Sequence, residues 1–498
     1  MKVIRKNWAK RIAIVLASLL LIGLAQFLPG TKAYADEFTP ETATDAEVNA
    51  ILDGTDQNTV LVDARPQEAY AGWPLQGAKN GGHLKNAILY SARFLTAGGK
   101  NAEKKLNTYN EKLGLSEDKS YIVYDYNGTK DEAKNVAKYL YGKGFKNVKI
   151  YDAKNLIDEG NNLESYKNYK MYLPAEIVKD ISDYQTGKDT KLDDTTLAVF
   201  TEDEIKNKVR LFDVDYGNVL ESEYLSDGHV PGAVHMNTNA YERPRCYVPE
   251  KREKYSIEYR LIGLDEFRDD LCPQYGIDKD SIVIAISRDG RPISRFGFML
   301  KSLGVEFYGM AGQMNSWKYN GYDLDYTVTR PKSVDSFGSS DIPNPHEIIW
   351  MDEVKKILSG DEKGVVIGGN NYKTYSYNDL QGRIDGVKPD NTYYTNVDGT
   401  PAMREIMEKD FKDSGYSLDE LIVPFCGDGW GASRDAYNAQ SVGLDNVKYW
   451  GEGWVVWANE GNWFITKNGQ KVRYNKFRDC LVDENGNDVN DPDAMKAE

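Results

Sequence analysis

The chain predicts an α/β protein of three tandem units, each a parallel sheet flanked by helices. Its 498 residues exceed what one ordinary core holds, and a prior of about 150 residues per domain suggests three units. Apolar, β-branched runs such as Thr59–Asp63, Val209–Asp213 and Ile282–Ile286 alternate with segments of helical period, as expected for strands covered on both faces. One order of landmarks also recurs along the chain, and such repetition outranks any single motif.

The first 35 residues stand apart. Lys2, Arg5, Lys6, Lys10 and Arg11 precede the apolar run Ile12 to Leu28, and Ala33-Tyr-Ala35 supplies a small-x-small cleavage site. This is the pattern of a secretory signal peptide, so residues 1–35 are expected to be removed and the protein to be secreted or extracytoplasmic, at the cell surface. The alternative is an uncleaved anchor, since no charge interrupts the run between Arg11 and Lys32, and a membrane is an expected partner only in that case. Removing the leader's six basic residues from the chain's 62 leaves 56 against 77 acidic ones, a net charge of −21. That charge disfavours nucleic acid as a partner and favours solubility.

Beyond a polar tether from Asp36 to about Asp45, the first unit begins with Thr59-Val-Leu-Val-Asp63-Ala-Arg65 and continues through Gly82-His83 to Ile88. The strand Tyr121–Asp125 with Gly128, a helix carrying Ala133, Val136, Ala137 and Leu140, and a last strand Val148–Tyr151 complete it. A helix opening after Pro174 leads to the second unit: Val209–Asp215, Gly228-His229-Val-Pro231-Gly232-Ala233-Val234, the strand and loop Ile282–Arg295, a strand near Val305–Tyr308, and Trp317. After Pro343 and Pro345 the third unit has Gly364–Asn370, Gly382–Val387, the strand and loop Leu421–Arg434, Val447–Trp450 and Gly451–Trp457. Asn468-Gly469 and Glu484–Asn487 read as hairpin turns, and the charged stretch Asp488–Glu498 reads as disordered.

The third unit's loop carries the candidate chemistry. A strand ends at Cys426, and Gly427, Gly429 and Gly431 are expected to take positive φ and turn their N–H groups around one point before a helix begins near Ala432. A thiol held there, at a helix start, is expected to have a lowered pKa and to act as a thiolate nucleophile. Asp428 opposes this by adding a negative charge inside the loop. With Cys426 assigned to chemistry, Cys246, Cys272 and Cys480 remain, and Cys246–Cys272 is a candidate local bridge. No Cys-x-x-Cys occurs, and His83, His229, His235 and His346 lack metal-ligand spacing, so neither metal nor cofactor is expected.

Aligned on their strands, Asp125, Ser287 and Cys426 hold the same position, each followed three residues later by a glycine (Gly128, Gly290, Gly429). Arg295 and Arg434 both lie eight residues past their anchors. The Cys426 loop resembles the active-site loop of the rhodanese (thiosulfate sulfurtransferase) family, close to the Cys-Gly-x-Gly-Trp-x-Ala-Ser form of bacterial members. Gly228–Val234 is similar to the family's Gly-His-Ile-Pro-Gly-Ala segment, and Asp63-Ala-Arg65 to its Asp-x-Arg. The resemblance implies rhodanese-like domains over residues 45–172, 173–335 and 336–462, with 463–498 as a C-terminal hairpin and polar tail.

It also implies an enzyme, which the leader pattern makes an exported one. The Cys426 thiolate attacks the outer sulfur of thiosulfate or a similar small anion, sulfite leaves, and the resulting persulfide passes its sulfur to cyanide or a thiol. Gly427, Asp428, Gly429, Trp430, Gly431 and Arg434 form the implied substrate site. Loop N–H groups stabilise the added charge as an oxyanion hole does, Arg434 orients the anion, and Trp430 screens the loop. Asp125 and Ser287 make the first two domains silent, because a carboxylate repels an anionic donor and a hydroxyl has no polarizable sulfur. Ser287 also lacks a histidine base. Gly431 stands where many relatives carry a basic residue, and Gly368-Gly369-Asn370 replaces Asp-x-Arg. The competing reading is a non-catalytic binding protein built on degenerate domains of this kind. A phosphatase of related fold needs Cys-x5-Arg, and Ala432 occupies that arginine's position.

Overall fold

A computed structural model describes residues 38–97, 101–242, 260–368 and 380–495. The leader, Cys246, Gly369 and Asn370 lie outside the described residues. The chain divides into two compact units, one running to Tyr70 and over Gln76–Glu164, the other comprising Ala71–Leu75 and everything from Ser165.

In the first unit five strands lie in the order Glu41–Thr42, Val148–Asp152, Ser120–Asp125, Thr59–Asp63 and Ile88–Leu89, all parallel. The apolar run Thr59–Asp63 buries Leu61 and Val62, as a strand covered on both faces must. Helix Glu132–Gly142 turns Ala133, Val136, Ala137 and Leu140 inward. The expected tether Asp36–Asp45 is not merely a tether. Glu41–Thr42 forms the edge strand, and Thr44 and Glu47 close a capping box on the helix Asp45–Leu52. At the end of the Thr59–Asp63 strand, the buried Asp63 carboxylate accepts from Arg65 (Nε, 3.0 Å) and from the Tyr124 hydroxyl (2.9 Å). Arg65 then donates to the carbonyl of Gly82 at 2.6 Å.

The second unit contains two parallel sheets. One has the order Val234–Asn237, Val209–Asp215, Ile282–Ile286, Glu306–Met310, Tyr172–Leu173, the same arrangement as in the first unit. Its helix Arg291–Ser302 packs on Trp430–Ser441 through Phe298 edge-on to Tyr437, with ring centroids 5.8 Å apart. Here Asp213 pairs with Arg288, which donates to the Gly228 carbonyl at 2.9 Å. The arginine is thus supplied by the residue after Ser287 instead of by an Asp-x-Arg pair.

The other sheet of that unit has the order Lys388–Pro389, Val365–Gly368, Ile422–Phe425. Parallel bridges Ile422–Val447 and Ile349–Trp450 extend it in the same sequence of connections, so all three sheets share one topology. Gly368 stands where Asp63 and Asp213 stand in the other two. A Cβ there would lie 2.3 Å from the Phe425 ring, which leaves no room for the acidic side chain.

Behind this sheet lies a four-stranded antiparallel sheet: Phe464–Ile465, Lys471–Asn475, Cys480–Val482 and Asp488–Val489. Both expected hairpins are present, with Gly469 and Gly486 at positive φ. The expectation of disorder from Asp488 onward is corrected over the described residues: Asp488–Val489 pairs with Leu481–Val482, Ala494 is buried, and Met495 bridges Leu380. Phe464, Val472, Tyr474, Leu481 and Ala494 share one core with Val366, Val423, Trp450 and Trp454. Apolar side chains at alternate positions outweigh the local charge. Because Leu481 is fully buried in that core, Leu481→Ala is expected to destabilise the protein by about 2–5 kcal/mol, read from a denaturant midpoint shift.

Candidate active site

The three anchor residues occupy equivalent places. Each backbone carbonyl accepts from a residue just beyond the fourth strand position: Asp125 from Ala153 (3.0 Å), Ser287 from Met314 (3.1 Å) and Cys426 from Trp454 (3.0 Å). Gly128, Gly290 and Gly429 all take positive φ, at 70°, 79° and 89°. What fills the loop differs. Asp125 is buried, and its carboxylate accepts from the N–H of Gly128 (2.8 Å) and of Ala133 (3.1 Å), so an internal anion occupies the cradle. Burial pushes that carboxyl above its ordinary range. The buried Ser287 hydroxyl accepts from the Gly290 N–H at 3.0 Å and lies 3.4 Å from the Gln313 carboxamide oxygen, with no histidine among its contacts.

Around Cys426 the loop is built from outside in. The Val455 N–H donates to the Gly427 carbonyl at 2.8 Å, and Arg295 donates to the Asp428 carbonyl and, at 3.3 Å, to that of Gly451. Within this loop the backbone N–H groups of Ala432, Asp428 and Gly431 favour the ionised form of the Cys426 sulfur. Gly453, at φ 67°, brings the closing turn within reach: a Cβ there would stand 2.7 Å from the Cys426 carbonyl oxygen. Gly431 is roomier, since a Cβ would meet the Cys426 sulfur at an ordinary 3.7 Å. The helix begins at Trp430, and of the three loop glycines only Gly429 has positive φ. Gly431 does not because it lies inside that helix, and Gly427 does not because the left-handed turn is made two residues later, at Gly429.

The thiol's acidity also corrects the expectation. Burial and the neighbouring Asp428 carboxylate push the half-buried Cys426 above the ordinary thiol value, and the three N–H groups only partly offset this. The sulfur lies 3.7 Å from Asp428 Oδ1, which also accepts from the Trp430 N–H at 3.3 Å. Arg434 pairs with its neighbour Asp435 (Nη2–Oδ1 2.9 Å), and its stem packs 3.8 Å from where a Gly290 Cβ would be. It therefore leans toward the Ser287 loop instead of orienting an anion at Cys426. Trp430 is buried between Tyr241 and Tyr216.

Sequence reasoning missed two residues here. Arg295, fully buried, reaches from the Ser287 helix to the Cys426 loop, lies 4.9 Å from the Trp430 ring centre, and pairs with the buried Glu242 at 3.2 Å. Burial, reinforced by Asp428 and opposed by Arg295, pushes Glu242 up to about 7. The equal spacing of Arg295 and Arg434 was the available signal, since each crosses to the other's loop; nothing in the sequence marks Glu242. No disulfide joins the described cysteines: Cys272 is buried and Cys480 half-buried, its sulfur 3.2 Å from Asp488.

A family model for the rhodanese-like domain matches residues 44–153 and 199–320. The chain is 22% identical over 422 residues to the thiosulfate sulfurtransferase YnjE of Escherichia coli K12, covering 81% of this chain and 88% of the relative. It is 20% identical over 273 residues to thiosulfate/3-mercaptopyruvate sulfurtransferase 2 of Arabidopsis thaliana, covering 47% and 73%. In solved structures the fold is shared with an anaerobic ergothioneine biosynthesis enzyme from Chlorobium limicola bound to trimethylhistidine, at TM-score 0.69 and 22% identity over 84% of this chain and 97% of that one. It is likewise shared, at TM-score 0.69 and 21% identity over 85% and 97%, with EanB holding ergothioneine covalently linked to a cysteine persulfide.

Two outcomes follow from the loop. Gly453→Ala is expected to lower the thermal midpoint and to change the rate of Cys426 alkylation by iodoacetamide, since the added methyl displaces the carbonyls that hold the loop. Alkylation of the native protein, followed against pH by mass spectrometry, is expected to have its midpoint above the free-cysteine value of about 8.5. A midpoint below that value contradicts the account of the thiol given above.

Proposed function

We propose that this chain, which belongs to the rhodanese family, is a sulfurtransferase carrying sulfane sulfur as a persulfide on Cys426. The observation that carries the reading is the place of Cys426 between the end of strand Ile422–Phe425 and the start of helix Trp430–Ser441, where it is the one of the three equivalent anchors that bears a sulfur. The backbone N–H groups of Ala432, Asp428 and Gly431, which favour the anion of the sulfur, favour the charge of a persulfide formed there in the same way. The two sulfurtransferase relatives support the reaction class, and the persulfide adduct in the structural neighbour supports the intermediate. The first half-reaction loads Cys426 from thiosulfate or a similar donor; the second delivers the sulfur to cyanide or a thiol. Asp125 and Ser287 take no part, because the first is bound to its own loop and the second has neither base nor exposure. The leader pattern supports an extracytoplasmic setting.

The raised thiol favours one competing reading, a binding protein in which Cys426 is inert. Mass spectrometry of the protein after exposure to sulfane sulfur donors separates the two, with Cys426→Ala as control. One added sulfur atom on Cys426, discharged by cyanide with release of thiocyanate, is the expected result. No gain from any donor leaves the binding reading in its place.

A further inference from the structure

The chemistry that faces the Cys426 sulfur is acidic, which bears on the donor. Asp428 Oδ1 is 3.7 Å from the sulfur, and the thiol is placed to donate its proton to that oxygen. The arginines about the loop already hold carboxylates: Arg295 holds Glu242, Arg434 holds Asp435, and Arg291 holds Asp289. Arg295 is further engaged with two backbone carbonyls. A dianion arriving at the sulfur therefore meets a carboxylate and has to compete for guanidinium groups that are already paired.

Resting on the reading of Cys426 as a sulfur carrier, we propose that Asp428 is the proton-transfer residue of the loading step and sets its donor as an alkyl persulfide, R–S–SH, in preference to thiosulfate. The Cys426 thiol passes its proton to the Asp428 carboxylate, and the resulting thiolate attacks the outer sulfur of the donor. The donor's S–S bond breaks as a new S–S bond forms on Cys426. The departing R–S⁻ takes the proton from Asp428 and leaves as R–SH. The balance is Cys–SH + R–S–SH → Cys–S–SH + R–SH: one sulfane sulfur moves, and no outside oxidant or reductant is needed. An alkyl thiolate is a basic leaving group that profits from a proton held beside it, whereas sulfite departs readily without one. A carboxylate next to the sulfur thus serves the first donor twice, forming the thiolate and returning the proton to the leaving group, whereas with the second it forms the thiolate but repels the incoming dianion.

The test is the rate of Cys426 persulfidation, followed by mass spectrometry with cysteine persulfide or thiosulfate at equal concentration. The native protein is expected to load at least about tenfold faster from cysteine persulfide. Asp428→Ser keeps an oxygen able to accept from the Trp430 N–H while removing the charge, and Asp428→Asn serves as a second variant should the first fold poorly. Both are expected to lower the persulfide rate by about tenfold or more and to lower it more than the thiosulfate rate, so that the preference collapses. Equal loading from the two donors in the native protein, or a preference unchanged in folded variants, overturns the assignment of Asp428 and leaves the sulfur-carrier reading standing. If neither donor loads native Cys426 although iodoacetamide alkylates it, the sulfur-carrier reading fails and this inference fails with it.

Discussion

The site depends on three peptide carbonyls that face away from the cysteine. Those of Cys426, Gly427 and Asp428 are engaged by Trp454, Val455 and Arg295. A peptide plane is rigid, so fixing a carbonyl outward fixes the next N–H inward. With the Gly427 carbonyl held by Val455, the Asp428 N–H has little choice but to face the sulfur. The donors come from two directions, the closing turn of the same sheet and a buried arginine belonging to the neighbouring one. The path of the loop is therefore set by the packed pair of sheets as well as by its own glycines, while the N–H groups of Gly431 and Ala432 come from the start of the helix.

The three loops share this frame and differ in what they hold. Asp125 brings its own negative charge to the N–H groups and leaves nothing for a ligand to gain. Ser287 offers a hydroxyl that is already satisfied from both sides. Cys426 alone of the three holds a thiol, and it pairs that thiol with an acid two residues on. A thiol raised by burial and by Asp428 rests protonated, which trades standing nucleophilicity for protection from adventitious oxidation.

Much of this was legible in the sequence. Uninterrupted apolar runs located the central strands, and the recurring glycine three residues after each anchor located the turns, because only a left-handed residue fits there. The rhodanese resemblance singled out Cys426 as the candidate nucleophile. Three kinds of information were hidden. The φ of Gly427 and Gly431 depends on where the helix starts, which a glycine-rich string leaves open. The acidity of Cys426 depends on burial, and burial depends on partners distant in sequence. The arginine roles depended on which neighbour each side chain faces: Arg434 turns to the Ser287 loop, while Arg295 does the holding at Cys426. Likewise, the charged stretch after Asp488 conceals Val489 and Ala494, whose burial is decided by the sheet they complete.

That antiparallel sheet has a consequence for how the protein is made. Strand Ile422–Phe425, which ends at the cysteine, shares its core with Leu481 and Ala494, more than fifty residues further along the chain. During synthesis the cysteine therefore leaves the ribosome well before the residues that seal the space behind it. Until they arrive, Val423, Trp450 and Trp454 lack part of their apolar cover, and the turn that orients the loop lacks its backing. Cys426 is thus among the last parts of the molecule to acquire its final surroundings.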